Sequence, residues 1–197
     1  MPRPGCPGPP PAARIQRGRI SDPYAMKTWR LQSTLWVPHT PQQVFPFFAD
    51  AQKLELITPP WLSFRILTPT PLEMRVGALI DYRISLRRIP IRWRTRIARW
   101  EPDRAFADEQ LRGPYAVWHH THTFTPQDGG TVIGDDVVMR PKGGLLAPVL
   151  MKVVSKELER IFEYRAKVMA EMFGGSEDRA CVRWVEGGYV TAPVGAP

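Results

Sequence analysis

The sequence predicts an α+β domain: a curved antiparallel sheet wrapped around one long C-terminal helix, with two short helices after the first strand. Three observations lead there. Alternating apolar segments between residues 62 and 140 are joined by short, turn-rich links, the pattern of an antiparallel meander. One apolar stripe at helical spacing fills residues 145–173. That stripe needs a partner, and the sheet is the only element large enough to be one.

Each element has a local reason. Trp29, Leu31, Ser33, Leu35 and Val37 alternate with their neighbours, which predicts a strand. Thr40 is placed as an N-cap and Pro41 as the first helical residue of a helix whose apolar side is Val44, Phe45, Phe47 and Phe48. Pro46 inside it predicts a short or kinked helix. Residues 50–57 predict a second short helix, ended by Thr58-Pro59-Pro60. Strands follow at 62–67, 78–86, 89–100, 105–111, 115–124 and 131–140. Residues 145–173 would make a helix of roughly 40 Å. Leu146, Val149, Leu150, Val153, Leu158 and Phe162 belong to its apolar stripe, and Gly174-Gly175-Ser176 closes it. This order suggests the helix-grip architecture, which leaves an apolar space between helix and concave sheet.

The ends look different. Residues 1–27 hold seven of the 22 prolines and few large apolar side chains, too little to offset the entropy of ordering, so a disordered Pro/Arg-rich tail is expected. The folded domain is expected over 28–173, and 174–197 as a flexible tail. The net charge of +8 divides unevenly: five Lys/Arg against one acid in 1–27, twenty against fifteen in 28–173, two against three in 174–197. Half of the excess thus falls in the first tail, and no nucleic-acid partner is expected. The Arg83, Arg92, Arg94 and Arg96 face reads as a solvated sheet surface paired with Asp81 and other acids. Cys6 and Cys181 lie in the expected tails and give neither a disulfide framework nor a metal knuckle, so no metal or other cofactor is expected and a cytoplasmic setting fits. No apolar stretch approaches the about 18 residues of a membrane span.

Strand parity indicates what points inward. A tight turn at Arg87-Arg88 pairs Leu86 with Ile89 and Tyr82 with Trp93. Carried onward, pairing sets Asp108 against Trp118, Phe106 against His120, His122 against Ile133 and His120 against Asp135. The inward set includes Tyr82, Trp93, Asp108, Gln110, Trp118, His120, His122, Phe124, Asp135 and Met139. Polar groups among aromatics in a concave space form a candidate ligand-binding site. His120 and His122, two apart on one strand, fit best a buried His–Asp network that is structural or orients a ligand; the same spacing also allows proton transfer, and after that metal ligation with Asp108 or Asp135.

The segments Phe106-Ala107-Asp108-Glu109-Gln110, Gly113-Pro114-Tyr115, Trp118-His119-His120-Thr121-His122-Thr123-Phe124 and Asp128-Gly129-Gly130-Thr131 resemble the ligand-binding SRPBCC family of the START and polyketide-cyclase superfamily. Ile57-Thr58-Pro59-Pro60-Trp61-Leu62 and Ile161-Phe162-Glu163-Tyr164-Arg165 resemble it too. The resemblance spans about 28–173 and implies a START-like helix-grip fold with a hydrophobic cavity under the C-terminal helix. It implies binding of a small hydrophobic ligand: a lipid, a quinone or a polyketide-like compound. The alternative is an aromatase/cyclase-type enzyme in which His120, His122 and Asp135 transfer protons; a third class is an interaction domain with a filled core. Where the family commonly has an aromatic near the end of the last strand, this chain has Met139, a departure expected at the cavity rim.

Overall fold

The computed structural model describes residues 25–191 except 87 and 186. Eight antiparallel strands form the main sheet. In chain order its strands are β2 (Trp29–Val37), β3 (Arg65–Ile66), β4 (Leu79–Leu86), β5 (Ile89–Glu101), β6 (Ala105–Arg112), β7 (Tyr115–Gln127), β8 (Gly130–Pro141) and β9 (Ala180–Val185). Their spatial order is β3-β4-β5-β6-β7-β8-β2-β9. A separate ribbon pairs β1 (Ala25–Lys27) with β10 (Tyr189–Thr191). The helices are α1 (Pro41–Phe48) and α2 (Ala147–Phe173).

The expected helix starts and stops are built as the sequence suggests. Thr40 and Gln43 form a capping box with Pro41 in the first turn of α1. Its Phe45 and Phe48 pack edge-on against Phe124. Gly174 ends α2 at φ 63, a left-handed turn that glycine adopts without side-chain clash. Residues 50–57 form a 3-10 turn, Ala51–Glu55, rather than an α-helix. The strand expected over 62–67 shrinks to Arg65–Ile66, because Pro60–Leu62 is taken up by another 3-10 turn.

The β4–β5 register is the expected one, Leu86 opposite Ile89 and Tyr82 opposite Trp93. The next two registers slip by two residues. Phe106 faces His122 and Asp108 faces His120, while His122 faces Asp135 and Trp118 faces Met139. The hairpin after β7 explains the second slip. It turns through Asp128 and Gly129, both at positive φ (51 and 72), so Gln127 pairs with Gly130. Because the slip is even, parity is preserved and the inward set still points inward. An irregularity between Ile97 and Arg99 reverses parity at the end of β5 and turns Trp100 toward Phe45, 5.1 Å between rings.

The expected tail boundaries do not hold. Beyond Gly174 the chain returns as β9, an edge strand on β2 with Leu31 opposite Trp184 and Ser33 opposite Val182. Ala25–Lys27, expected in the first tail, is β1; the rest of that tail, 1–24, lies outside the described residues. Cys181 sits in β9 and is disulfide-bonded, contrary to the expectation for it. Met139 is fully buried between Trp29 and Trp118 rather than at a rim. The apolar stripe of α2 is also only partly covered: Met151, Leu158, Phe162 and Met169 are buried, but Val149 and Val153 are exposed. Two of the four arginines of that face are paired as expected, Arg94 with Asp81 at 2.8 Å and Arg96 with Glu109. Among the described residues, no helix is long and apolar enough to cross a membrane.

Candidate functional site

A cavity of about 210 Å³ lies between the concave sheet and α2. Its apolar wall stacks aromatic rings. Tyr82 lies parallel to Trp93 at 5.8 Å, and Trp118 meets Trp93 edge-on at 5.1 Å. The Trp93 indole N–H is satisfied within the wall, donating to Thr95 Oγ1 at 3.1 Å. Burial pushes the phenols of Tyr82 and Tyr115 up, so both keep their protons and offer O–H groups.

One part of the wall is polar. His120 Nε2 lies 2.9 Å from Asp135 Oδ1. His122 Nδ1 lies 3.0 Å from the same oxygen, off the direction of a hydrogen bond, so that contact is an ion pair rather than a directed bond. On the opposite side of the rings, Asp108 Oδ2 lies 3.5 Å from His122 Nε2 and 3.8 Å from His120 Nδ1. Arg165 of α2 brings Nη1 to 3.5 Å from Asp135 Oδ1. Phe106 stacks on His122 at 4.1 Å and shields it.

The charges follow from these contacts. Burial would raise both carboxyls, but the neighbouring imidazoles outweigh it and hold Asp108 and Asp135 below the usual carboxylate range. Burial, helped by the like charge of His122, lowers His120. Burial also opposes a charge on His122, but Asp108 and Asp135 outweigh it and lift His122 above the ordinary histidine range. Two carboxylates are thus balanced by the His122 imidazolium and the Arg165 guanidinium, and His120 is neutral. A neutral His120 facing the Asp135 carboxylate must donate from Nε2, which leaves Nδ1 as an acceptor. One donor atom from each of Asp108, His120 and His122 lies within 4.8 Å of the other two, so these three could also hold a metal ion.

Of the residues expected to bind ligand, Tyr82, Trp93, Asp108, Trp118, His120 and His122 line the cavity. Asp135 does not: it sits behind the imidazoles and orients them. Gln110 does not either, because its side chain closes the β6–β7 turn by donating to the Tyr115 carbonyl at 2.6 Å. Phe124 is held under α1 by Phe45 and Phe48. Arg165 is not among the expected site residues; it falls at the helical spacing of the α2 stripe, and a cation on the apolar side of a helix is the signal that it has a buried partner. Tyr115 and Glu157 also line the cavity, and nothing in their spacing distinguishes them.

Fold and site together define a helix-grip protein whose cavity carries a buried, charge-balanced cluster on one wall. Residues 37–163 match the family described as polyketide cyclase/dehydrase and lipid transport, and the chain belongs to this SRPBCC-type family. Solved structures share the fold at low identity. An aromatase/cyclase, Zhui from Streptomyces sp. R1128, is 17% identical, TM-score 0.56, over 75% of this chain and 94% of that one. Protein Ms6760 from Mycobacterium smegmatis is 17% identical, TM-score 0.55, over 74% and 90%. TTHA0849 from Thermus thermophilus is 19% identical, TM-score 0.53, over 72% and 94%. No curated protein matches the sequence.

Proposed function

We propose that the protein binds a compact hydrophobic molecule of the lipid, quinone or polyketide class, with a hydroxyl group of the ligand meeting His120 and Asp108. The observation that carries this is an aromatic-lined cavity with the His120 imidazole and the Asp108 carboxylate side by side on its wall. An apolar cavity of about 150 Å³ admits benzene, so about 210 Å³ suits one or two fused rings or the buried end of a longer chain. Apolar burial supplies most of the affinity, at about 25 cal/mol per Å² before association costs. The polar cluster then selects for a donor group, because an occupant without one leaves the acceptor His120 Nδ1 with no donor.

The test is native mass spectrometry of the purified protein, followed by extraction and identification of what it carries. A bound small molecule, lost when Ile84→Phe and Val154→Phe fill the cavity in a folded protein, is the expected result. An empty protein that takes up no hydrophobic compound would end this reading.

A second reading is favoured by the same cluster. A neutral His120 beside a charged His122 is one base and one acid in contact, 3.9 Å between ring centres. In an aromatase/cyclase, His120 would take a proton from the substrate and His122 would return one, as aldol-type ring closure and dehydration require. Asp135 would keep both rings in position. Under this reading His120→Ala abolishes turnover while binding survives; under simple binding, no turnover exists to lose.

A further inference from the structure

The two ends of the helix-grip sheet differ. By the strand order, one end gathers the β4–β5 turn, the β6–β7 turn and the start of α2, and the backbone joins the last two: the Lys142 N–H donates to the Pro114 carbonyl at 3.0 Å. This end exposes apolar side chains. Leu145 is 98% exposed, Leu146 65%, Val149 61%, Val153 53% and, at the neighbouring hairpin, Ile89 66%. Val149 and Val153, four apart, share one face of α2, and Leu145 and Leu146 lie in the 3-10 turn that leads into it. That face should cover a core, and it covers nothing in this chain's described residues.

Charge is asymmetric at the same place. Residues 88–93, 110–118 and 139–156 contain Arg88, Arg92, Arg112, Arg140, Lys142, Lys152 and Lys156, and no Asp or Glu. The folded region as a whole has an excess of only five, so this end is strongly basic and the rest is close to neutral or acidic. Lys152 and Lys156 border the exposed apolar face on its outer side, while Val154 and Leu158, a step round the helix, line the cavity. Leu86, Ile91 and Pro114, at this end, line the cavity.

We propose that this end of the molecule is a docking face for an anionic lipid bilayer. Leu145, Leu146, Val149 and Val153 enter the interfacial layer, and the ring of Lys and Arg pairs with acidic headgroups. The occupant follows from charge and shape together. A second copy of the chain would bring seven like charges against their own images. Residues 1–24 carry four Arg against one Asp and are repelled by the same field. A nucleic acid would match the charge but not the aliphatic centre, which has no aromatic platform for bases. A bilayer with anionic headgroups satisfies both, and it sets the cavity beside a hydrophobic reservoir.

Flotation of the full chain with vesicles tests this, using phosphatidylcholine alone and phosphatidylcholine mixed with phosphatidylglycerol. Binding to the anionic vesicles, weakened by added salt and absent from the neutral ones, is expected. Leu145→Glu with Leu146→Glu should abolish it, and Lys142→Ala with Lys152→Ala should weaken it about fivefold for each cation removed. These side chains are exposed, so circular dichroism should show an unchanged fold. Uptake of a cavity ligand from solution should also be unchanged, which keeps this test separate from that of the cavity. Equal binding to neutral and anionic vesicles, variants that float like the wild type, or a dimer dissolved by Leu145→Glu would each overturn the proposal.

Discussion

Asp135 is the residue on which the buried cluster turns. Its Oδ1 is approached by His120, His122 and Arg165, so removing its charge leaves a buried imidazolium and guanidinium opposed only by Asp108. Asp135→Asn should destabilise the fold by about 3–5 kcal/mol, read from urea denaturation; a loss below about 1 kcal/mol would mean that water reaches the cluster. The pH dependence has a definite sign. His122 is raised in the fold, so its contribution is complete below the unfolded value of about 6.5 and fades as pH rises through the higher folded value. His120 is lowered, so its contribution is present above about 6.5 and is lost as pH falls through the folded value. The two lowered carboxyls add a further loss below about 4. Stability should therefore peak near neutrality and fall on both sides. His120→Gln should flatten the decline between about 6.5 and 4, and His122→Gln the decline on the alkaline side. Denaturation midpoints across pH that leave either slope unchanged in its variant would contradict these charge states.

At the scale of elements, the β7–β8 hairpin fixes which residues meet. Gly129→Ala places a Cβ at φ 72 and should cost about 1 kcal/mol or more in thermal denaturation, whereas a neutral effect would show that the turn is not what sets the register. The strands were legible because parity depends only on alternation, and parity survives an even slip. The slip itself was not legible: Asp128-Gly129-Gly130 allows a turn at either glycine, and the choice is made by pairing of Gln127 with Gly130. The turn of Trp100 into the core was hidden for a similar reason, since an extra residue in β5 leaves no mark in composition. β9 was missed because Ala180–Val185 is short and follows a pair of helix-ending glycines. Only the open edge of β2 gives it a partner. Ending the chain at Gly175 would remove Val182 and Trp184 from their packing against the core and reopen that edge. Such a chain should aggregate at concentrations where the full chain does not, as light scattering would report.

For the whole molecule, one sheet face is both core and cavity wall. Toward α1 it is filled by Phe45, Phe106 and Phe124; toward the start of α2 it is hollow, with Trp93, Trp118 and the charge cluster around the space. The sequence indicated the wall residues through parity, but Val154, Leu158 and Arg165 reach the space only because α2 crosses the sheet where it does. The central claim is that the hollow accepts an apolar body and that His120 and Asp108 recognise a hydroxyl on it. Quenching of Trp93 and Trp118 fluorescence by naphthol and by naphthalene measures this directly. Naphthol should bind about tenfold more tightly, the effect of one hydrogen bond to a charged or strongly polar partner, and Asp108→Asn with His120→Ala should erase the difference while both compounds still bind. Equal affinities in the wild type, or no binding of either, would contradict it.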